Sequence, residues 1–216
     1  MDSLSFFTSL FEPRAIAFIG ASTSPAKWGF NILHHLFRGG YDGAVYPINA
    51  QGGDWFGRPM YRRLADAPGS ADLAVIVVPK EKVADALRDC GAAGIAAAVV
   101  ITAGFGETGA AGRAMEEEVL SVARACGIRI VGPNTMGIYS AYPRRVRAVM
   151  AVSQYQPGAV ALVSQSGNLG TSIADRFIRR GIGMSRLVSS GNEADLTVED
   201  YLDYLETDEK TKVICL

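Results

Sequence analysis

The sequence is poor in cysteine, and this limits the kinds of site that it can build. Its three cysteines, Cys90, Cys126 and Cys215, lie far apart in apolar segments, and none belongs to a CxxC motif or a Cys/His cluster. We therefore expect no structural metal site, because such sites need closely spaced thiolate and imidazole ligands. An odd number of cysteines among apolar residues is typical of reduced thiols in a cytoplasmic protein, and we predict that location.

An excess of charge of either sign is also missing. The 216 residues include 21 basic and 22 acidic side chains, which give a net charge of −1. Binding of nucleic acid or of a membrane surface through bulk charge is therefore not expected. The chain has no apolar run of the roughly 18 residues that suggest a transmembrane helix. Its N-terminus has an acid and no basic segment, so it does not resemble a signal peptide.

Short apolar strand patterns alternate with helical patterns along the first 134 residues. Five such alternations with short connections are typical of a doubly wound parallel sheet, in which ligands bind beyond the carboxyl ends of the strands. Strands are predicted over 15–19, 44–48, 73–78, 96–102 and 128–131, and helices over 28–37, 64–67, 81–90 and 111–126.

The alternation is interrupted over residues 135–157, which show no convincing period and are predicted to form a linker. It then resumes with strands over 159–163, 184–188 and 213–216 and helices over 171–180 and 197–205. The chain stops in an apolar strand that no helix covers. We therefore expect residues 158–216 to be the first half of a second α/β domain in a longer protein.

The first predicted strand runs into a turn of the kind that binds anions. Gly20 permits the turn, and Ser22, Thr23 and Ser24 are residue types that cap helices. A helix that starts there directs unpaired N–H groups and the positive end of its dipole at a ligand above the sheet, most often a phosphate. Lys27, one turn into this helix, is either a phosphate contact or a solvated surface lysine.

The motifs of two common nucleotide-binding sites are absent from this turn. The sequence after Gly20 does not continue as G-x-G-x-x-G, and Asn49-Ala50-Gln51 occupies the place of the acidic residue that holds a ribose. A nicotinamide cofactor is therefore disfavoured. No G-x-x-x-x-G-K-[ST] motif occurs either, so a P-loop phosphotransferase is not supported.

A second turn of the same design follows the strand at 159–163. Ser164-Gln165-Ser166-Gly167 precedes a helix and predicts another anion site at its start. Ser166 lacks the G-x-S-x-G elbow of a serine hydrolase, and the only two histidines, His34 and His35, lie in the middle of the first helix. No convincing acid–base pair occurs, so we predict no catalytic residue in this chain.

Six motifs occur in an order that resembles one family from about Phe11 to Leu216. They are Gly20-Ala-Ser, Val45-Tyr-Pro-Ile-Asn49, Leu73-Ala-Val-Ile-Val-Val-Pro79, Val100-Ile-Thr-Ala-Gly-Phe105, Gly132-Pro-Asn134 and Val163-Ser-Gln-Ser-Gly167. Together they resemble the NDP-forming acyl-CoA synthetases, relatives of the succinyl-CoA synthetase α subunit. The resemblance implies a Rossmann-like CoA-binding domain over residues 1–134 and the start of a flavodoxin-like ligase domain over residues 158–216.

The resemblance also implies two groups of binding residues. Those matching the CoA site are Gly20, Ala21, Ser22, Thr23, Ser24, Lys27, Asn49, Val78, Pro79, Thr102, Ala103, Gly104, Phe105 and Asn134. Those matching the site for the phosphate of a phosphohistidine or an acyl phosphate are Ser164, Gln165, Ser166, Gly167 and Asn168. Many relatives have Asn-Pro-Lys after the second strand, whereas here Ala50-Gln51 follows Asn49, so one CoA-directed lysine is missing.

The implied reaction joins a carboxylic acid to CoA as NTP is converted to NDP and phosphate. It proceeds through an acyl phosphate and a phosphohistidine. The phosphorylated histidine is expected beyond Leu216, and the nucleotide, ATP or GTP with Mg²⁺, is expected on an ATP-grasp β subunit or fused domain in an oligomer. The alternative is a CoA- or acyl-CoA-sensing regulatory module fused to another domain, such as an acetyltransferase.

Overall fold

The computed structural model describes residues 3–151 and 153–216. The strands in this part of the chain are β1 (Ala15–Ile19), β2 (Ala44–Ile48), β3 (Gly53–Trp55), β4 (Arg58–Met60), β5 (Leu73–Ile76), β6 (Ala97–Val100), β7 (Arg129–Val131), β8 (Gly137–Ser140), β9 (Val146–Val149), β10 (Pro157–Ser164), β11 (Met184–Ser189) and β12 (Val213–Cys215). The α-helices are α1 (Ser3–Phe11), α2 (Trp28–Arg38), α3 (Val83–Ala92), α4 (Ala110–Ala125), α5 (Gly167–Arg179) and α6 (Val198–Thr207). Short 3₁₀ helices occur at Leu64–Asp66, Lys80–Lys82 and Gly106–Thr108.

The first sheet is parallel throughout and has the strand order β2-β1-β5-β6-β7. Helices α1 and α2 pack on one face and α3 and α4 on the other. Strands β5 and β6 are therefore buried along their whole length, which explains why they read as continuous apolar runs. The predicted doubly wound α/β fold is confirmed, with element boundaries shifted by a few residues.

The second sheet has the order β12-β10-β11-β8-β9, and two of its strands, β8 and β9, are attached by antiparallel pairings. These two, β8 and β9, lie in the stretch that the sequence predicts to be a linker, and that prediction is wrong. Both strands are buried at every position, with the polar Ser140 and Arg147 among the buried residues. Burial on both faces removes the alternation of apolar and polar residues that identifies a strand in sequence.

Two further elements lie outside the sequence predictions. The hairpin β3–β4 is attached beside β2, where Tyr61 donates its N–H to the carbonyl oxygen of Pro47. Helix α1 joins the two sheets, because its side chains Phe7 and Phe11 stack on Tyr204 of α6 with ring centroids 4.6 and 5.1 Å apart. Within the described ranges, none of the helices combines the length and the apolarity needed to cross a bilayer.

Candidate functional site

The loop after β1 passes directly over the end of the neighbouring strand. Gly20 has a φ of +103°, and a Cβ atom at this position would lie 2.1 Å from the carbonyl oxygen of Val77. Only glycine fits, because both the left-handed backbone and the close approach exclude a side chain. This contact fixes the loop Gly20–Lys27 at the carboxyl edge of the first sheet.

The backbone donors of this loop differ from the prediction. Helix α2 begins at Trp28, so Lys27 is its N-cap residue and not one turn inside the helix. The N–H groups of Gly20 and Ala21 both donate to the carbonyl oxygen of Ile48, each at 3.0 Å. The hydroxyl oxygen of Ser22 accepts a hydrogen bond from the N–H of Ser24 at 3.1 Å and does not cap the helix. Much of the predicted N–H cradle is thus used to hold the loop itself.

Asn49, at the end of β2, completes the bracing of the loop. Its amide nitrogen donates to the carbonyl oxygen of Ala21 at 2.6 Å, and its amide oxygen accepts from the N–H of Gln51 at 2.8 Å. The indole nitrogen of Trp55 donates to the carbonyl oxygen of Ser22 at 3.1 Å. Asn49 therefore positions the loop, and its amide is occupied by protein partners.

A cavity of about 460 Å³ opens beside this loop at the edge of the first sheet. Its lining has four cationic side chains against two acidic ones, Asp85 and Asp89, so it is called the basic cavity. Predicted residues in its lining are Gly20, Lys27, Asn49, Val78 and Pro79. Sequence reasoning missed the other cations, which are Arg62, Arg63 and Lys82. Arg63 is paired with Asp66 at 2.9 Å, whereas Arg62 makes no ion pair in the part of the chain that the structure describes. The consecutive arginines Arg62 and Arg63 after β4 were the only sequence feature that could have indicated this part of the cavity. The sequence does not show that they lie on the same cavity wall as Asn49.

The predicted residues at the ends of β5, β6 and β7 are held together by hydrogen bonds. The Thr102 hydroxyl donates to the carbonyl oxygen of Val78 at 2.6 Å, and the N–H of Asn134 donates to the carbonyl oxygen of Thr102 at 2.9 Å. The side chain of Phe105 is completely buried in the core beneath them. Phe105 can therefore face a ligand only through its backbone.

A central cavity of about 510 Å³ brings the two predicted binding turns together. From the first sheet it is lined by Val78, Thr102, Ala103 and Asn134, and from the second turn by Gln165, Ser166, Gly167 and Asn168. Val78 lines both this cavity and the basic cavity, so the two are neighbours along one strand end. Trp28, at the start of α2, forms part of the wall and is 51% exposed.

The second turn has the helix-start geometry that the sequence predicts, but the helix begins four residues earlier than expected. Ser166 is the N-cap of α5, and its hydroxyl oxygen accepts from the N–H of Leu169 at 3.3 Å. A Cβ atom on Gly167 would lie 2.1 Å from Cγ of Met136, so glycine is required for the turn to approach β8. The N–H groups of Gly167 and Asn168 have no acceptor one turn earlier in the helix, and both residues line the central cavity.

A third cavity, of about 450 Å³, lies on the other side of the second turn. Gln165, Ser166 and Asn134 line it as well as the central cavity. Its remaining wall consists of Gly106, Glu107, Arg113, Glu116, Gly191 and Asn192. Residues of this wall were not predicted from the sequence.

The two histidines in the middle of α2 differ in environment: His34 is partly exposed and stacks on Phe30, and His35 packs in the interior. His35 is buried, and its Nδ1 atom lies 2.9 Å from the carbonyl oxygen of Val149. Burial lowers the pKa of His35 below its ordinary value, and nearby Arg147 contributes in the same direction. Over the residues that the structure describes, no cluster of three or more His, Cys, Asp or Glu side chains is arranged to hold a metal ion.

Comparison with known families divides the chain into two matched regions. The CoA binding domain family matches residues 14–141, and the family described as succinyl-CoA ligase like flavodoxin domain matches residues 157–216. The first region contains the basic cavity. The second contains the Ser164–Asn168 turn.

Individual relatives agree with this division. The chain is 39% identical over 212 residues to the α subunit of an ADP-forming acetate–CoA ligase I from Pyrococcus furiosus, covering 96% of this chain and 46% of the relative. It is 33% identical to an ADP-forming 4-hydroxybutyrate–CoA ligase from Nitrosopumilus maritimus, covering 96% of this chain and 30% of the relative.

An acetyl-coenzyme A synthetase from Ca. Korarchaeum cryptofilum, solved in complex with phosphate and ADP, superposes with a TM-score of 0.92 at 41% identity. The match covers 97% of this chain and 45% of that one. The chain therefore spans less than half the length of these relatives. With both family matches in the same order and the fold shared throughout, the chain belongs to the NDP-forming acyl-CoA synthetase family, and it carries the CoA binding domain and the adjoining part of the flavodoxin-like domain.

Proposed function

We propose that this chain supplies the CoA-binding and phosphate-binding sites of an enzyme that joins a carboxylic acid to CoA as NTP is converted to NDP and phosphate. The observation that supports this most strongly is the central cavity, which is lined by strand-end residues of the first sheet and by the helix start of the second. A thiol held by the first group and an acyl phosphate held by the second would lie in one cavity, as acyl transfer requires.

The charge and shape of the two neighbouring cavities support coenzyme A as the first ligand. The basic cavity offers Lys27, Arg62 and Lys82 to the phosphates of CoA, and the central cavity offers an apolar and amide wall to its pantetheine arm. Arg62 packs against Gly52, where a Cβ atom would lie 3.1 Å from Cγ of Arg62. Many relatives have a CoA-directed lysine where this chain has Ala50-Gln51. We propose that Arg62 supplies the positive charge of that lysine to the phosphates of CoA.

The start of α5 supports a phosphoryl group as the second ligand. Gly167 and Asn168 line the central cavity at the positive end of a 13-residue helix, where the first N–H groups have no acceptor within the helix. Preorganised N–H donors stabilise the negative charge of a phosphoryl group without rearranging, which is a large term in enzymatic phosphoryl and acyl transfer. This chain would orient the acyl phosphate for attack by the thiol.

Other parts of the complete enzyme would supply the rest of the reaction. We assign the phosphorylated histidine, the nucleotide with Mg²⁺ and the ATP-grasp β subunit or domain to those parts, within an oligomer. The names of the relatives differ in their acids, acetate and 4-hydroxybutyrate, so we place acid selection there too. The reduced cysteines support the cytoplasm as its location. The relatives are CoA ligases by name, which favours this function over a CoA-sensing regulatory module.

Isothermal titration calorimetry of the chain with CoA, dephospho-CoA and NAD tests the proposal. We expect CoA to bind, dephospho-CoA to bind more weakly because it lacks one phosphate, and NAD not to compete. Tighter binding of NAD than of CoA would contradict the assignment of the basic cavity. In the complete enzyme, Ser166→Asp is expected to block labelling by radioactive phosphate, because a carboxylate at the helix start repels phosphate. Unchanged labelling would contradict the role of the second turn.

A further inference from the structure

One asparagine amide connects the loops that follow β6, β7 and β11. Nδ2 of Asn192 donates to Oε2 of Glu107 at 2.7 Å and to Oε2 of Glu116 at 2.6 Å. Its Oδ1 atom accepts a hydrogen bond from Nδ2 of Asn134 at 3.1 Å. Both N–H groups of this amide and one of the two acceptor positions of its oxygen are therefore used, and the two donated bonds hold two carboxylates close together.

Glu107 carries this contact into the loop after β6. Its carboxylate accepts hydrogen bonds from the N–H groups of Gly104 at 2.5 Å and Phe105 at 3.1 Å. Partial burial acts to raise the pKa of Glu107, but hydrogen bonds from Asn192 and from the backbone outweigh it and lower the pKa below the ordinary value. Glu107 is thus held as a carboxylate, and it fixes the backbone that lies beside the central cavity.

The segment that contains Asn192 also contacts the second turn, through Ser190. The N–H of Ser190 donates to the carbonyl oxygen of Ser164 at 3.0 Å, and the N–H of Asn192 donates to the carbonyl oxygen of Pro133 at 2.9 Å. Three residues, 190 to 192, therefore link the phosphate-side turn to the loop over the end of β6. The two loops are thus joined by a continuous chain of direct hydrogen bonds, which is the physical path that coupling between them requires.

We propose that Asn192 is a positioning residue. It couples the binding of CoA beside the strand-end loop 103–107 to the geometry of the second turn 164–168, and this coupling rests on the proposed function. An asparagine is needed because its amide donates to both Glu107 and Glu116. A carboxylate at this position has no hydrogen to donate, and it adds a third negative charge to the pair. The other charged groups that face this position are Arg113 on α4 and Glu193, whose Oε1 atom accepts from the Ser190 hydroxyl at 2.5 Å.

The substitution Asn192→Asp tests the coupling with almost no change of shape. At pH 7.5 we expect CoA to bind about tenfold more weakly, because repulsion among three carboxylates displaces Glu107 from the N–H groups of Gly104 and Phe105. Lowering the pH should restore CoA affinity in the variant, because protonation of the introduced carboxyl group removes the added charge, whereas the wild-type chain has no ionisable group at this position. Gln154→Glu, which adds the same charge at an exposed residue outside the network, should leave CoA affinity unchanged.

Hydrogen exchange of the peptides covering residues 103–107 and 164–168 provides the readout of coupling. Added CoA should protect both peptides in the wild-type chain, and only the first in Asn192→Asp and in Asn192→Ala. Equal protection of the second peptide in the variants, with equal CoA affinity, would overturn the inference and leave the proposed function intact.

Failure of the proposed function gives a different result. In that case the wild-type chain itself does not bind CoA. Exchange at 103–107 without ligand then still tests the network, since Asn192→Asp should make these amides exchange faster. Unchanged exchange in that experiment would overturn the positioning role of Asn192.

Discussion

Removing the hydroxyl group of Tyr201 is expected to stabilise the protein. Tyr201 lies on α6 and is completely buried, and its hydroxyl has no hydrogen-bond partner among the described residues. Burial raises its pKa well above the ordinary value. An unsatisfied buried hydroxyl costs about 1–3 kcal/mol. The Tyr201→Phe variant keeps the ring, which packs edge-on against Phe7 at 6.0 Å, and leaves a void of only one oxygen atom.

We expect a net gain of about 1 kcal/mol in the free energy of unfolding, which for a chain of this size raises Tm by about 2–4 °C. Differential scanning calorimetry and urea titration would measure both quantities. Tyr204→Phe is the matched control, because the Tyr204 hydroxyl accepts a hydrogen bond from Nη2 of the buried Arg186 at 3.4 Å. The control should lose about 1 kcal/mol, since it removes an acceptor from a buried charge. A Tyr201→Phe variant less stable than the wild-type chain would refute the reasoning.

Three other predictions concern the basic cavity and two buried titratable groups. Arg62→Ala should weaken CoA binding about threefold to tenfold in calorimetry, as expected for one exposed charge–phosphate contact. Arg63→Ala should weaken CoA binding less, because Asp66 already neutralises Arg63. An equal loss of CoA affinity in the two variants would contradict the role given to Arg62. Burial raises the pKa of the Cys90 thiol to about 12. At pH 8, Ellman's reagent should therefore modify the less buried Cys126 well before Cys90. Rapid reaction of Cys90 would contradict its burial. Burial lowers the pKa of His35, so the unfolded state takes up the proton more readily. Urea titrations should therefore show a stability that is complete above the ordinary histidine pKa of about 6.5 and declines as the pH falls below it. His35→Gln should lack this decline.

The first sheet could be predicted from the sequence because its strands are short apolar runs bounded by Gly, Pro or Asn. The buried pattern of Leu73–Ile76 and the stop at Pro79 are local features, and they survive in the folded protein unchanged. Strands β8 and β9 could not be recognised in this way, since they are buried on both faces and contain Arg147. The arginine is accommodated there because its Nη2 atom donates to the carbonyl oxygens of Ala151 and Ser153, which the sequence pattern of the strand does not reveal.

The candidate site could be predicted only in part for a related reason. Strand ends of a parallel sheet meet at one edge, so Val78, Thr102 and Asn134 could be placed together from their order alone. Arg62 lies after a hairpin, and Asn192 lies in a loop of the second sheet. No local sequence pattern predicts that residues so far apart in the chain line the same site. The role of Asn49 was also hidden, because its amide is committed to Ala21 through a contact across 28 positions of sequence.

The membership of β8 and β9 in the second sheet decides how the protein can be divided for biochemical work. A C-terminal piece that starts at residue 158 would lack both strands, and the edge of β11 that pairs with β8 through Arg186, Leu187 and Val188 would lose its partner. Unpaired strand edges recruit other chains, so such a piece is expected to aggregate during expression. A piece that starts at residue 135 keeps the edge covered and is the better choice for producing the phosphate-binding half alone.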